Sequence, residues 1–143
     1  MTFLAVTLPS TLAKIDLFAQ TSESVLQEIA DAGSVIDTPA GRVVAAQGSS
    51  DAGLQVVLEG SADVEVNGTP RPEILPGDFF GEISLIDGGG RSATVTAGKD
   101  GLKTFAISQL SFSPLIDKHP DLARSLLKAL CARVRAIESS QSV

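Results

Sequence analysis

Aromatic residues are scarce: six Phe, no Trp and no Tyr in 143 residues. The core must therefore be packed mainly from Val, Leu, Ile and Ala. A single cysteine, Cys131, excludes an intramolecular disulfide and any multi-cysteine zinc site. Its neighbours Leu127, Leu130 and Val134 give it the setting of a structural thiol. The one histidine, His119, stands beside Pro120 in a helical stretch. That excludes a multi-histidine metal centre of the cupin kind and leaves no serine–histidine or cysteine–histidine pair, so neither a metal site nor catalysis is expected. Long apolar runs are missing too. Phe3-Leu4-Ala5-Val6 is short, has no basic residue before it and meets Pro9 at once. No export signal or membrane span is expected, and the location expected is cytoplasmic. Positive charge is in deficit, with 11 Lys and Arg against 17 Asp and Glu. A net charge of −6 argues against holding DNA or RNA through the phosphate backbone. A small anion can still bind where donors converge, because salt screens the long-range field within about 10 Å.

What is present fits one folded domain, taken as residues 1–143, with 43% apolar and 20% charged residues. Thr21-Ser22-Glu23 offers a helix cap and a first-turn acid, Val25, Leu26, Ile29 and Ala30 an apolar face, and Gly33 a stop. From Ser34 to Ile107 short β-rich runs recur between turn residues: 35–36, 43–45, 54–58, 62–66, 93–97 and 102–107. Glycines 41, 48, 53 and 60 and the pairs Asn67-Gly68 and Pro76-Gly77 are read as turns. Asn67-Gly68-Thr69 has the form of a glycosylation sequon but reads better as a tight hairpin. After Pro114 the pattern turns helical, and Leu122, Leu126, Leu127, Leu130, Val134 and Ile137 make one apolar stripe, with a frayed tail from Ser139. The fold class is mainly β with flanking helices: a β-barrel or jelly roll with an N-terminal helical segment, a short internal helix and a long C-terminal helix.

The most unusual segment runs from Pro76 to Val95, where Gly81-Glu82 is followed by Gly88-Gly89-Gly90-Arg91-Ser92-Ala93-Thr94. Glycines let backbone N–H groups approach an anion, and an arginine fork matches two phosphate oxygens. Glu82 can accept from a sugar hydroxyl. Composition and spacing alone also allow a flexible loop with a solvated charge.

The stretch Gly77 to Val95 resembles the phosphate-binding cassette of cyclic-nucleotide-binding domains, in which Phe-Gly-Glu-x-Ser/Ala-Leu precedes Arg-Ser/Ala-Ala-Thr-Val. Leu17-Phe18, Gln47-Gly48, the run Val57 to Val64, and Phe112 with Leu115-Ile116 and His119-Pro120 resemble the flanking parts of the same family, over about residues 15–138. The likeness is to the catabolite-activator and protein kinase A regulatory-subunit type of sensor. It implies that Glu82 accepts the ribose 2′-hydroxyl and Arg91 pairs with the cyclic phosphate. Gly81, Ser92 and Ala93 then complete the anion cradle, with Ile83 and Ser84 also among the ligand-binding residues. Leu85 and Ile86 fall on a short helix that moves with ligand. Base contact is implied near Arg133, Ile137 and Glu138, although helix packing and a solvated face are the better reading of those residues from the sequence alone.

Cyclic AMP is the ligand implied, cyclic GMP the second choice, and no cofactor is called for. No helix-turn-helix follows the long helix in this sequence, so DNA is not expected as a partner, and the chain reads as a stand-alone sensor or as one excised from a longer protein. A protein partner or self-association through the C-terminal helix would provide the output. The alternative function is an interaction module that keeps the fold without binding nucleotide.

Overall fold

Helix begins earlier than the sequence pattern indicates. The computed structural model describes residues 8–50 and 53–141, so Phe3–Val6 and the last two tail residues lie outside the described residues. Helix α1 (Leu8–Ala13) carries Pro9 in its first turn, where a missing N–H costs nothing. It buries Leu8 and Leu12, extending the core upstream of residue 15. A 3-10 turn at Asp16–Phe18 then buries Leu17 and Phe18. In α2 (Glu23–Ala32) the Ser22 hydroxyl accepts from the Val25 N–H at 3.4 Å, and Leu26 and Ile29 face inward.

Six strands follow, all paired antiparallel: β1 (Ser34–Thr38), β2 (Val43–Ala45), β3 (Gly53–Val66), β4 (Thr69–Ile74), β5 (Phe79–Phe80) and β6 (Thr94–Ser108). Runs expected as separate strands are joined. Residues 54–58 and 62–66 belong to β3, and 93–97 and 102–107 merge into β6, except that Ala93 precedes it. Gly53 opens β3 rather than turning the chain, and Gly60 bends it. The ladder slips between Gly60 and Ala62, and Gly60 has φ +84° with its Cα against the Gly101 carbonyl, a place no side chain could share. Each long strand thus serves two layers: β6 pairs with β2 at its start and β1 at its end, while β3 pairs with β5 and then β4. Asn67 (φ +53°) and Gly68 (φ +78°) form the expected hairpin turn between β3 and β4.

Short helix α3 (Glu82–Asp87) leaves the sheet between β5 and β6. Helix α4 (Gln109–Lys118) starts before Pro114 rather than after it, because the Ser108 hydroxyl caps it by accepting from the Ser111 N–H at 3.2 Å. Helix α5 (Pro120–Gln141) follows, and the tail expected to fray is helical to Gln141.

Two apolar clusters result. The larger joins α1, α2, α4 and the start of α5 to one part of the sheet through Phe18, Ile29, Phe105 and Phe112. Each such buried side chain contributes about 1.5–3 kcal/mol relative to exposure. The smaller, around Val57, Ala62, Phe80 and Val95, lies where the sheet curls. The C-terminal stripe is not continuous in its packing. Leu122 and Leu126 are buried, whereas Leu127, Val134 and Ile137 are more than half exposed. Cys131 is exposed as well, so it is not a buried structural thiol.

Candidate functional site

A cavity of about 640 Å³ opens between the curled sheet, α3 and the second half of α5, a size ordinary for small-molecule sites. Its floor is apolar, from Ala45, Val64, Val95 and neighbouring residues, and α5 contributes Leu130, Arg133, Val134 and Ile137. Among the described residues three arginines, Arg71, Arg91 and Arg133, line it against one carboxylate, Glu82. The chain is acidic, yet the described lining of this cavity carries more arginine than carboxylate.

Glu82 opens α3 and is 3% exposed. Gly81 before it has φ +90°, and a Cβ there would collide with the Gly53 carbonyl and with Arg91 Nη1. Only glycine lets the arginine cross at this point. Arg91 is itself buried at 9% exposure, with Nη1 donating to the Gly53 carbonyl at 2.5 Å and to Ser84 Oγ at 3.3 Å. Ser84 in turn donates to the Gly81 carbonyl at 3.1 Å. The Arg91 backbone is clamped from both sides, its N–H on Ser49 O at 2.9 Å and its carbonyl receiving Gly48 N–H at 2.8 Å. A side chain so fixed is preorganised to meet an anion at little ordering cost.

Arg133 reaches down from α5. Its Nη2 donates to the Phe79 carbonyl at 2.6 Å and lies 3.1 Å from Glu82 Oε2, with its guanidinium 4.7 Å from the centre of the Phe79 ring. The proximity to Glu82 is an ion pair but not an aligned hydrogen bond, so the buried Oε2 keeps an unfilled acceptor. Burial pushes the Glu82 carboxyl above its ordinary value, opposed by the Arg133 charge and by the backbone N–H groups of Glu82 and Ile83. A buried carboxylate with an open acceptor, lining the same cavity as a fixed guanidinium, can take a hydroxyl donor while the guanidinium takes an anion.

Gly81, Glu82, Ile83, Ser84, Arg91, Ser92 and Ala93 all line this one cavity, as do Arg133 and Ile137. Glu138 does not line it, and Ile86 is exposed on α3. The sequence pattern missed Phe79, which holds Arg133, and Arg71 on β4. The alternation of Val64 and Val66 marked the inward face of the hairpin, but nothing local marked its partner strand. Among the described residues no group of three or more His, Cys, Asp or Glu is arranged to hold a metal, and no helix is long and apolar enough to cross a membrane.

Fold and cavity together define a small-ligand binding domain, and comparison with known proteins specifies its kind. The cyclic nucleotide-binding domain family matches residues 35–119. The chain is 36% identical over 117 residues to the Pycsar effector protein BcPycTIR of Burkholderia cepacia, covering 81% of this chain and 38% of that protein. It is 35% identical over 129 residues to the cyclic nucleotide-gated potassium channel mll3241 of Mesorhizobium japonicum, covering 90% and 35% respectively. The chain thus spans less than two-fifths of the length of these curated relatives. Among solved structures it is similar to the catabolite activator protein of Thermus thermophilus, with TM-score 0.77 and 25% identity over 88% of this chain and 61% of that one. The chain belongs to the cyclic-nucleotide-binding domain family.

Proposed function

We propose that the chain, as one domain over residues 1–143, is a non-catalytic sensor for cyclic AMP, with cyclic GMP as a second ligand. The observation that carries this reading is the pairing of buried Glu82 and buried Arg91 on the wall of one cavity. In it Arg91 takes two exocyclic oxygens of the cyclic phosphate, a planar fork on a planar acceptor pair. Gly81, Ser92 and Ala93 add N–H or hydroxyl donors, and Ile83 and Ser84 close the wall behind them. Glu82 accepts the ribose 2′-hydroxyl through Oε2, which has room for one more donor. The base lies toward α5, where Ile137 covers its ring and Arg133 is within reach.

Ligand biases α5 between two packings, acting only through its difference in affinity for the two. Since Arg133 already touches Glu82, filling that site alters the contact through which the second half of α5 meets the cavity wall. The exposed face of that half is where a protein partner or a second copy reads the change, in the cytoplasm.

Calorimetric titration with cyclic AMP, cyclic GMP and linear AMP tests the proposal. The expected result is one saturable site per chain for the cyclic forms, with about 2.7 kcal/mol of added stability at a hundred times the dissociation constant. No heat and no stabilisation with either cyclic nucleotide would overturn it and leave an interaction module of the same fold.

A further inference from the structure

Gln47 is outside the lining of the cavity, yet it is bonded to the chain beside two of its walls. Its side chain makes a closed amide pair with Asn67. Gln47 Nε2 donates to Asn67 Oδ1 at 2.8 Å, and Gln47 Oε1 accepts from the Asn67 N–H at 2.8 Å. Asn67 is the first residue of the turn between β3 and β4. The hairpin that this turn closes supplies Val64, Val66, Arg71 and Ile74 to the cavity. The Gln47 backbone serves the other wall, where its N–H donates to Thr94 Oγ1 at 3.0 Å. Thr94 follows directly on Arg91-Ser92-Ala93.

The next two residues grip the other end of that cradle. Gly48 donates its N–H to the Arg91 carbonyl at 2.8 Å, and the Ser49 carbonyl accepts from the Arg91 N–H at 2.9 Å. Gly90 lies so close that a Cβ there would stand 3.3 Å from both the Gly48 and the Ser49 carbonyl oxygens. Residues 47–49 thus form a template against which the chain from Gly90 to Thr94 is shaped. They belong to no strand or helix themselves. The Ser49 N–H closes a turn on the Ala46 carbonyl at 3.0 Å, but a turn fixes its own shape and not its place. Its place depends on what it is tied to, and the amide pair ties it to the β3–β4 hairpin.

We infer that Gln47 is a positioning residue: through Asn67 it sets the 47–49 segment, and through that segment it holds the Arg91-Ser92-Ala93 donors in the register that grips a cyclic phosphate. The inference rests on the cyclic-nucleotide reading above. Donors already in place when the ligand arrives need no ordering on binding. With the amide pair cut, the segment samples more conformations, and ordering it again subtracts from affinity. The loss falls at the phosphate end. It is therefore the same for adenine and guanine, and it blurs the distinction between the two exocyclic oxygens.

The test measures dissociation constants by calorimetry for cyclic AMP, cyclic GMP and the two phosphorothioate diastereomers of cyclic AMP, which carry sulfur at one or the other exocyclic position. Gln47→Ala, Asn67→Gly and the double variant are compared with the wild-type chain, with ligand-free melting as the check on folding. Glycine suits a positive φ, so Asn67→Gly keeps the turn and the N–H to Gln47 and removes only the side-chain acceptor. Gln47→Ala is expected to weaken cyclic AMP and cyclic GMP alike by roughly three- to tenfold and to narrow the ratio between the diastereomers. Asn67→Gly loses less, and the double variant loses no more than Gln47→Ala alone. A bond that only stabilised the fold would lower the melting temperature while the folded chain kept its affinity and its diastereomer ratio, and that result overturns the positioning role. Losses that simply add in the double variant overturn it too. If Gln47→Ala does not fold, unchanged affinity in Asn67→Gly has the same force. All these outcomes leave the cyclic-nucleotide reading intact, whereas a wild type that binds neither cyclic nucleotide overturns both.

Discussion

The two halves of α5 share one amphipathic pattern and lead different lives. In the first half Leu122 and Leu126 are 2% and 3% exposed, locked into the larger core with Phe18 and Phe112. In the second half Val134 and Ile137 are 52% and 56% exposed, although they continue the same spacing and border the cavity. Periodicity specifies that a helix has an apolar face. It does not specify what covers that face. The first half is structural, and in the second Arg133 reaches the cavity wall at Phe79 and Glu82.

The sharpest break of this comparison is a pair of alanine variants. Leu126→Ala should lose about 2–5 kcal/mol of stability, as truncation in a closed core does, while Val134→Ala should stay within about 0.5 kcal/mol in denaturant titration. Equal losses would mean that the second half is packed as firmly as the first. Next in size is Arg91→Ala, which should weaken cyclic AMP binding by about 1.5–3 kcal/mol. Amide hydrogen exchange extends that test: nucleotide should protect residues 130–138 and leave 122–127 unchanged, and the variant should need ten to a hundred times more nucleotide for the same protection.

A smaller effect concerns Glu82. Its raised folded pKa means that its favourable contribution exists below its unfolded pKa and is lost as pH rises through the folded one. At neutral pH the buried charge therefore opposes folding. Ligand-free Glu82→Gln should melt higher than wild type at pH 7, and faster exchange in the second half of α5 should accompany it as Arg133 loses its ion partner. The same variant should bind cyclic AMP more weakly but lose little for the 2′-deoxy analogue; equal losses for both would remove the ribose role.

The smallest effect lies at the root of α5. Glu28 on α2 accepts from Lys118 at 2.9 Å and pairs with His119 at 2.8 Å, and these two partners hold its carboxyl below the ordinary value, Lys118 first. A lowered folded pKa gives stability that is present above the unfolded value and lost as pH falls below about 4.5. Acid unfolding curves for wild type and Glu28→Gln should converge there, and a constant offset across the pH range would remove the ionic origin.

Much of this was legible in local chemistry. Ser22 announced α2, Asn67-Gly68 its hairpin, and the Gly81-Glu82 and Arg91-Ser92-Ala93 runs came together on one cavity wall. The remainder depended on distant parts of the chain. Strand β4 reads as Thr-Pro-Arg-Pro-Glu-Ile, and two prolines in six residues argue against a strand unless it lies on an edge, which only the sheet order reveals. Arg71 was invisible for the same reason. Glycine misled in the opposite direction, since Gly60 looked like a turn and proved to be a bend inside a continuous strand.

The pairing of β3 with β6 has a kinetic consequence. Its register runs from Glu65 opposite Thr94 out to Gly53 opposite Ser108, so β5, α3 and the glycine loop all lie within the segment this pairing closes. Closing such a segment costs chain entropy before any contact repays it, which makes sheets of this kind slow to form. Phe79 through Ala93 lie inside the loop that this pairing closes. A ligand that meets only the finished cavity should leave the refolding rate unchanged and lengthen the life of the folded state instead.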